Sequence, residues 1–381
     1  MMAHLVKRIA GLAVLALACL NAVAATQDIV LGQVLSSSGT TGELGRDIQA
    51  GSEACVNWVN EQGGVAGRRL RLITKDDGGV PDRAVANAQS LMDRDGAVAL
   101  LGPMGPAVTV PLLDWATRAQ VLVVGPHSGD VVSRSKEWTT AYFLTANHSA
   151  EAQKLAAHIV ALGVMRVVQV YSENDFGRRA LEALEESMAV AGVDSSRTID
   201  IPAVFTQKDI SNAVEMVLAA KPQAIVLATS GEATLAILKS INAHWDRGGR
   251  GMSGIYGLSF AATPRDLETL GSTARGLAVS QVLPPITDIR HRLVSIYQAA
   301  TTANPALRTP GGLEGCLGPL VFAEALKRKT SDFSRSGVLS EFRWNRAARI
   351  GNLEVPLADR DRPGLRYVDI VTFGADGRLV H

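Results

Sequence analysis

A chain of 381 residues that is 47% hydrophobic and 20% charged has room for two domains of ordinary size, each with its own core. Its 38 Lys and Arg against 37 Asp and Glu, with no basic run, exclude the electrostatic footprint of a nucleic-acid binder and any polybasic membrane patch.

The first element in chain order is a leader. Lys7-Arg8, the apolar run Ile9–Leu20 and the small-x-small pattern Ala22-Val23-Ala24 form a secretory signal over residues 1–25. The apolar run is shorter than a membrane span. Its removal leaves 36 basic against 37 acidic residues, a net charge of about −1. A lipoprotein signal, Ala16-Leu17-Ala18-Cys19, with lipid on Cys19, is the alternative. Cleavage leaves Cys55 and Cys316. In an oxidising compartment these two either pair or stay as separate buried thiols, and spacing alone does not choose.

From Asp28 onward, short apolar runs alternate with longer amphipathic ones. Ile29–Val34 has the character of a buried strand. Gly51–Glu61 has that of a helix, with Ala54, Cys55, Trp58 and Val59 on one stripe. Strands are predicted over Arg69–Thr74, Ala97–Leu101 and Val121–Val124, separated by helices over Arg83–Arg94 and Ala107–Arg118. A second set follows, with helices over Glu151–Leu162, Gly177–Ala191, Asp209–Ala220 and Ala233–Ala243 and strands over Arg166–Tyr171, Ala224–Ala228 and Gly254–Leu258. This alternation predicts parallel βαβ units, hence an α/β chain with one doubly wound unit over about 28–146 and a second over about 147–256. The last third is less regular. A strand over Gly276–Val282 and helices over Ile289–Ala300 and Leu313–Lys327 precede Val338–Arg343, Val355–Ala358 and Arg366–Phe373, which read as strand-rich or mixed. The turn Gly374-Ala375-Asp376-Gly377 comes last.

In an open parallel sheet a ligand binds outside the strand carboxyl ends, where helix N-termini offer free N–H groups. The turns there read Ser36-Ser37-Ser38-Gly39-Thr40-Thr41-Gly42, Gly102-Pro103-Met104-Gly105-Pro106, Pro126-His127-Ser128-Gly129-Asp130 and Ser172-Glu173-Asn174-Asp175-Phe176-Gly177. Small residues and hydroxyls dominate, so a ligand can approach the backbone closely. The histidines, His127 and His148 among them, lack i, i+4 ligand spacing and no metal site is expected. There is no Gly-x-Gly-x-x-Gly and no P-loop lysine, so no nucleotide cofactor is expected. Gly257-Leu258-Ser259-Phe260-Ala261 approaches a nucleophile elbow, which leaves a Ser259 hydrolase as a remote alternative. It would need His291 and an acid such as Asp266, Glu268 or Asp288.

The stretch from Ser38-Gly39 through Gly42, Gly45 and Gly51, then Val59-Asn60-Glu61-Gln62-Gly63-Gly64-Val65-Ala66-Gly67-Arg68 and Asp76-Asp77, resembles the branched-chain amino-acid (Leu/Ile/Val) binding protein family, the type I periplasmic binding proteins of ABC importers. Leu100-Leu101-Gly102, Tyr171 through Gly177, and Asp209-Ile210 before a helix ending at Lys221-Pro222 extend the resemblance over nearly all of the mature chain. It implies two doubly wound parallel-sheet lobes joined by a three-crossover hinge. Lobe one would be 26–146 plus 257–335, and lobe two 147–256 plus 336–381. Cys55 and Cys316 would then share lobe one.

The resemblance also implies a non-enzymatic, periplasmic, monomeric protein without a cofactor. It would capture an amino acid or related small carboxylate or amide and present it to ABC permease subunits. A ligand sensor feeding a signalling partner is the alternative. The resemblance places ligand contacts at Gly105, Pro106, His127, Ser128 and Gly129 of lobe one and at Phe176; Ser37 and Ser38 of lobe one, and Ser230 and Ser259 near the mouth, complete the expected set. Two positions depart from the family pattern. Gly105-Pro106 replaces a serine, and Leu258-Ser259 stands where an acid for a ligand ammonium is expected.

Overall fold

The computed structural model describes residues 27–39, 42–130, 134, 138–246, 254–261, 271–274, 276–327, 332–357, 364–374 and 379–380. The expected leader with Cys19, the acids Asp266 and Glu268, and residues 375–377 of the terminal turn lie outside them.

Strand β1 (Ile29–Leu35) is buried along its whole length and is an interior strand of a parallel sheet. Its neighbours are β2 (Leu70–Asp76) on one side and β3 (Ala99–Leu101), β4 (Val123–Val124) and β5 (Ala141–Tyr142) on the other. A parallel strand needs cover on both faces, and the side-chain alternation of β1 supplies two cores. Ile29 and Leu31 face helix α1 (Gly42–Glu61), while Val30 and Val34 face α2 (Pro81–Asp93) and α3 (Pro106–Arg118).

The second sheet has the order β14-β13-β10-β9-β8-β6-β7. Its parallel strands are β6 (Arg166–Glu173), β7 (Asp194–Pro202), β8 (Ala224–Ala228), β9 (Ile255–Gly257) and β10 (Leu277–Gln281). Antiparallel β13 (Asp369–Phe373) and β14 (Leu379–Val380) extend the β10 edge. Helices α4 (His148–Ala161) and α5 (Asp175–Val190) cover the face carrying Val167, Val226 and Tyr256. Helices α6 (Gln207–Ala219) and α7 (Glu232–Asp246) cover the face carrying Val168, Leu227 and Val279. The two-residue strand β5 and the nine-residue strand β7 have no counterpart in the sequence expectation. In β7 only Ile199 and Ile201 are buried, too weak an alternation to stand out.

After β10 the chain returns to the first lobe. It forms α8 (Arg292–Ala300), α9 (Pro310–Leu326), α10 (Arg335–Trp344) and the hairpin β11 (Ala347–Ile350)–β12 (Leu353–Pro356). All of these contribute to the core that holds Ile29, Leu31 and Val124. The chain therefore passes between the sheets three times, after β5, after β10 and after β12.

Two expected boundaries move. Leu277–Gln281, expected in lobe one, builds β10 of the second sheet, because Leu277–Val279 is apolar on both faces and pairs with β9 and β13. Residues 336–357, expected in lobe two, pack on the first core. The expected strand-rich segment Val338–Arg343 is helical. Val338, Leu339 and Phe342 recur at helical spacing, bury against Tyr142 and Phe322, and follow the N-cap Ser334, which accepts the Gly337 N–H.

Helix α9 is buried on almost every side, and it lies against α1 at backbone contact. A Cβ on Gly51 would come within 1.8 Å of the Gly312 carbonyl oxygen, and one on Gly315 within 2.0 Å of that of Ile48. Only glycine permits that approach. The same contact places Cys55 and Cys316 with Cα atoms 5.2 Å apart, and they form a disulfide. Of the two alternatives open from sequence, pairing is the observed one.

Candidate ligand site between the two lobes

The carboxyl ends of β3 and β4 are tied together. The Gly105 N–H donates to the His127 carbonyl at 3.0 Å, and the His127 N–H donates to the Pro103 carbonyl at 2.7 Å. Gly105 is the N-cap of α3 at φ +77°, a region that disfavours other residues, and no side chain caps that helix. Pro106 is its first residue and the first-turn N–H groups are left for another acceptor. His127 Nδ1 lies 2.9 Å from Glu314 Oε1 of α9. Burial by itself would raise the Glu314 carboxyl. The charge and hydrogen bond of His127, joined by Arg134, outweigh it and hold the group below its ordinary value.

The loop runs on through Ser128, Gly129 and Asp130 to a buried cation. Arg134 donates through Nε to the Ser128 carbonyl (2.9 Å) and through its two terminal nitrogens to those of Thr145 (2.7 Å) and Ala146 (3.1 Å). Its guanidinium lies over the Phe143 ring. Desolvation lowers its pKa to about 10, partly opposed by Glu151, Glu314 and Asp130, so it stays charged at neutral pH. One side chain thus joins the β4 loop to the first crossover.

The second lobe meets this loop directly. The α5 N-cap Asn174 accepts the Gly177 N–H and holds the turn that carries Phe176. Phe176 and Phe260 pack with ring centroids 4.3 Å apart, and His148, the first residue of α4, packs 4.8 Å from Phe260. A Cβ on Gly129 would fall 2.2 Å from His148 Cδ2, so the two lobes touch here. Asp130 and Arg179 pair across the same gap at 3.3 Å. Ser259 donates its N–H to Glu151 Oε2 (2.9 Å), which also receives the Ser280 hydroxyl (2.6 Å).

Of the expected site residues, Gly105, Pro106, His127, Ser128 and Gly129 come together, with Phe176 and Ser259 part of the opposing wall. Ser37 and Ser38 are bound to Asp76 instead, by the Ser37 N–H (2.9 Å) and the Ser38 hydroxyl (2.6 Å). Those bonds, the Ser38 hydroxyl foremost, hold Asp76 below its ordinary value. Ser230 is exposed just beyond the end of β8. The hydrolase alternative lacks its geometry. Ser259 bonds to Glu151, whereas His291 sits at the start of α8 with Asp288 and Asn352.

Sequence reasoning missed Arg134, His148, Glu151, Phe260 and Glu314. The local signal in reach was Phe260, one residue beyond Ser259. His148 is buried, and desolvation, reinforced by Arg134 and opposed by Glu151 and Asp130, lowers its pKa from 6.5. Its neutral form is favoured on folding, so its contribution to stability is present above pH 6.5 and is lost as pH falls through its folded value. Urea titrations at pH 7.5 and 5.5 should show a smaller acid-induced loss in His148→Phe than in the wild type. Equal losses in both would exclude this role.

The family model described as periplasmic binding protein matches residues 28–352. The chain belongs to the periplasmic binding protein family. Among curated relatives, the amino acid binding protein of Pseudomonas aeruginosa is 23% identical over 170 residues, covering 44% of this chain and 46% of that one. The Leu/Ile/Val-binding protein BraC3 of Rhizobium johnstonii is 25% identical over 168 residues, covering 44% and 45%. The matched region thus spans about half the length of these relatives. In solved structures, a substrate-binding periplasmic protein from Ralstonia solanacearum superposes with a TM-score of 0.80 at 26% identity, over 93% of this chain and 99% of that one. Both curated relatives are named as binding proteins, and the periplasmic binding protein family implies a place of action outside the cytoplasm.

Proposed function

We propose that this protein is the exported, monomeric solute receptor of an ABC importer, closing its two lobes over an amino acid or a related small carboxylate or amide. The observation that carries the reading is the meeting of Gly105, His127, Ser128 and Gly129 with His148 and Phe176 across the gap between lobes. The uncapped N-terminus of α3 offers N–H groups and a positive dipole end to a carboxylate. Hinge motion at the three crossovers would open and close the cleft, and the closed form would dock on the permease. The kinship with an amino acid binding protein and a Leu/Ile/Val-binding protein supports the ligand class.

A thermal-shift screen of amino acids, amides and short carboxylates tests this. A true ligand at 100 times its dissociation constant adds about 2.7 kcal/mol to stability. The shift should vanish in Ser128→Trp, which fills the cleft. A wild-type-sized shift in that variant would move the site elsewhere, and silence across the whole screen would remove the proposal.

A further inference from the structure

The wall that the second lobe turns toward Gly129 is built of rings. Phe176 from the start of α5, Phe260 from the turn after β9 and His148 from the start of α4 lie within 4.3–6.0 Å of one another, in tilted and edge-to-face contacts. Neither phenylalanine carries a hydroxyl, and both keep part of their surface accessible. The Nδ1 atom of His148 is buried without a hydrogen-bond partner. Aromatic groups meet best in offset or edge-to-face arrangements, so a planar ring suits this wall better than a branched aliphatic chain does.

Among the described residues, two buried carboxylates stand near the wall, and the protein's own donors hold both. Glu151 is buried and receives the Ser259 N–H and the Ser280 hydroxyl on one oxygen. Asp130 is buried and bonded to Arg179 and Ser128. The position after β9 itself carries Leu258, which is fully buried, and Ser259. An entering ammonium group would have to lose its hydration and take one of these carboxylates from its donors, an exchange with little net gain.

We infer that the cleft selects a ring-bearing carboxylate without an α-ammonium group. The ring lies on Phe176 and Phe260 in place of the present contact between His148 and Gly129, and the carboxylate lies toward Gly105 and Ser128. The inference rests on the proposed binding function and narrows its ligand class.

The test is calorimetric titration of the purified protein with benzoate, phenylacetate, 3-phenylpropionate, cyclohexylacetate, L-phenylalanine and L-leucine. The tightest of the three aromatic acids should bind at least tenfold more tightly than either amino acid, and phenylacetate more tightly than cyclohexylacetate. Phe176→Leu, which keeps the bulk of the wall, should collapse the preference of phenylacetate over cyclohexylacetate, and Phe260→Ala should weaken the aromatic acids at least tenfold with an unchanged circular dichroism spectrum. Leucine or phenylalanine binding as tightly as the aromatic acids overturns the inference and leaves the binding function standing. An undiminished aromatic preference in Phe176→Leu overturns it as well. No binding by any of the six overturns the inference, and a silent wider screen removes the binding function with it.

Discussion

Cys55→Ala/Cys316→Ala is expected to lower the unfolding free energy by about 5 kcal/mol, the largest effect of any change considered for this protein. The bridge spans 261 residues of sequence, and a loop of that length restricts the unfolded chain strongly. Its position adds to this. The cysteines join α1 to α9, two parts of one lobe between which strands β6 to β10 of the second lobe are inserted. Both residues are fully buried, so the replacement also removes packing where Gly51, Gly312 and Gly315 leave no slack. Urea denaturation of the double variant against the wild type, both under oxidising conditions, measures the effect. A loss below about 1 kcal/mol would show that packing alone holds α9 on α1.

Arg134→Met comes next, with an expected loss of about 3–5 kcal/mol. The methionine keeps much of the aliphatic stem but leaves the carbonyls of Ser128, Thr145 and Ala146 without their donors in a buried place. Buried acceptors without partners cost about 1–3 kcal/mol each. It also removes the cation that faces Asp130, Glu151 and Glu314. Arg134→Lys should recover only part of the loss, because one ammonium centre cannot serve three carbonyls held in a fork geometry. Since Arg134 links the Ser128 loop to the crossover at residues 145–146, the methionine variant should also bind its ligand more weakly at equal fraction folded. Full stability of the lysine variant would mean that charge alone, rather than the fork, matters at this position.

The two effects differ in how far the sequence announces them. Cys55 and Cys316 are visible as the pair left after leader removal, and only their union had to be seen. Arg134 sits in an unremarkable polar stretch, and nothing nearby hints that its guanidinium turns inward. The same holds for Glu151. The sequence shows an acid missing after β9 and gives no sign that a helix 108 residues earlier in the chain delivers a carboxylate to that very backbone N–H. Ser37 and Ser38 illustrate the reverse. Their turn has the composition of a ligand loop, yet Asp76 on the neighbouring β2 already takes the Ser37 N–H and the Ser38 hydroxyl.

The sequence by itself determined the alternation of strand and helix through residue 256 apart from β5 and β7, because parallel strands buried on both faces and amphipathic helices carry strong local periodicity. It also marked the turns at Gly102–Gly105 and His127–Gly129, where small residues open the backbone. Only the tertiary structure decided where the crossovers fall after β10 and β12, since strand order depends on which apolar edge finds a partner. It alone assembled His148, Phe176 and Phe260 into one wall and joined Glu314 to His127 across 187 residues, because contacts between groups far apart in sequence leave no periodic trace in it.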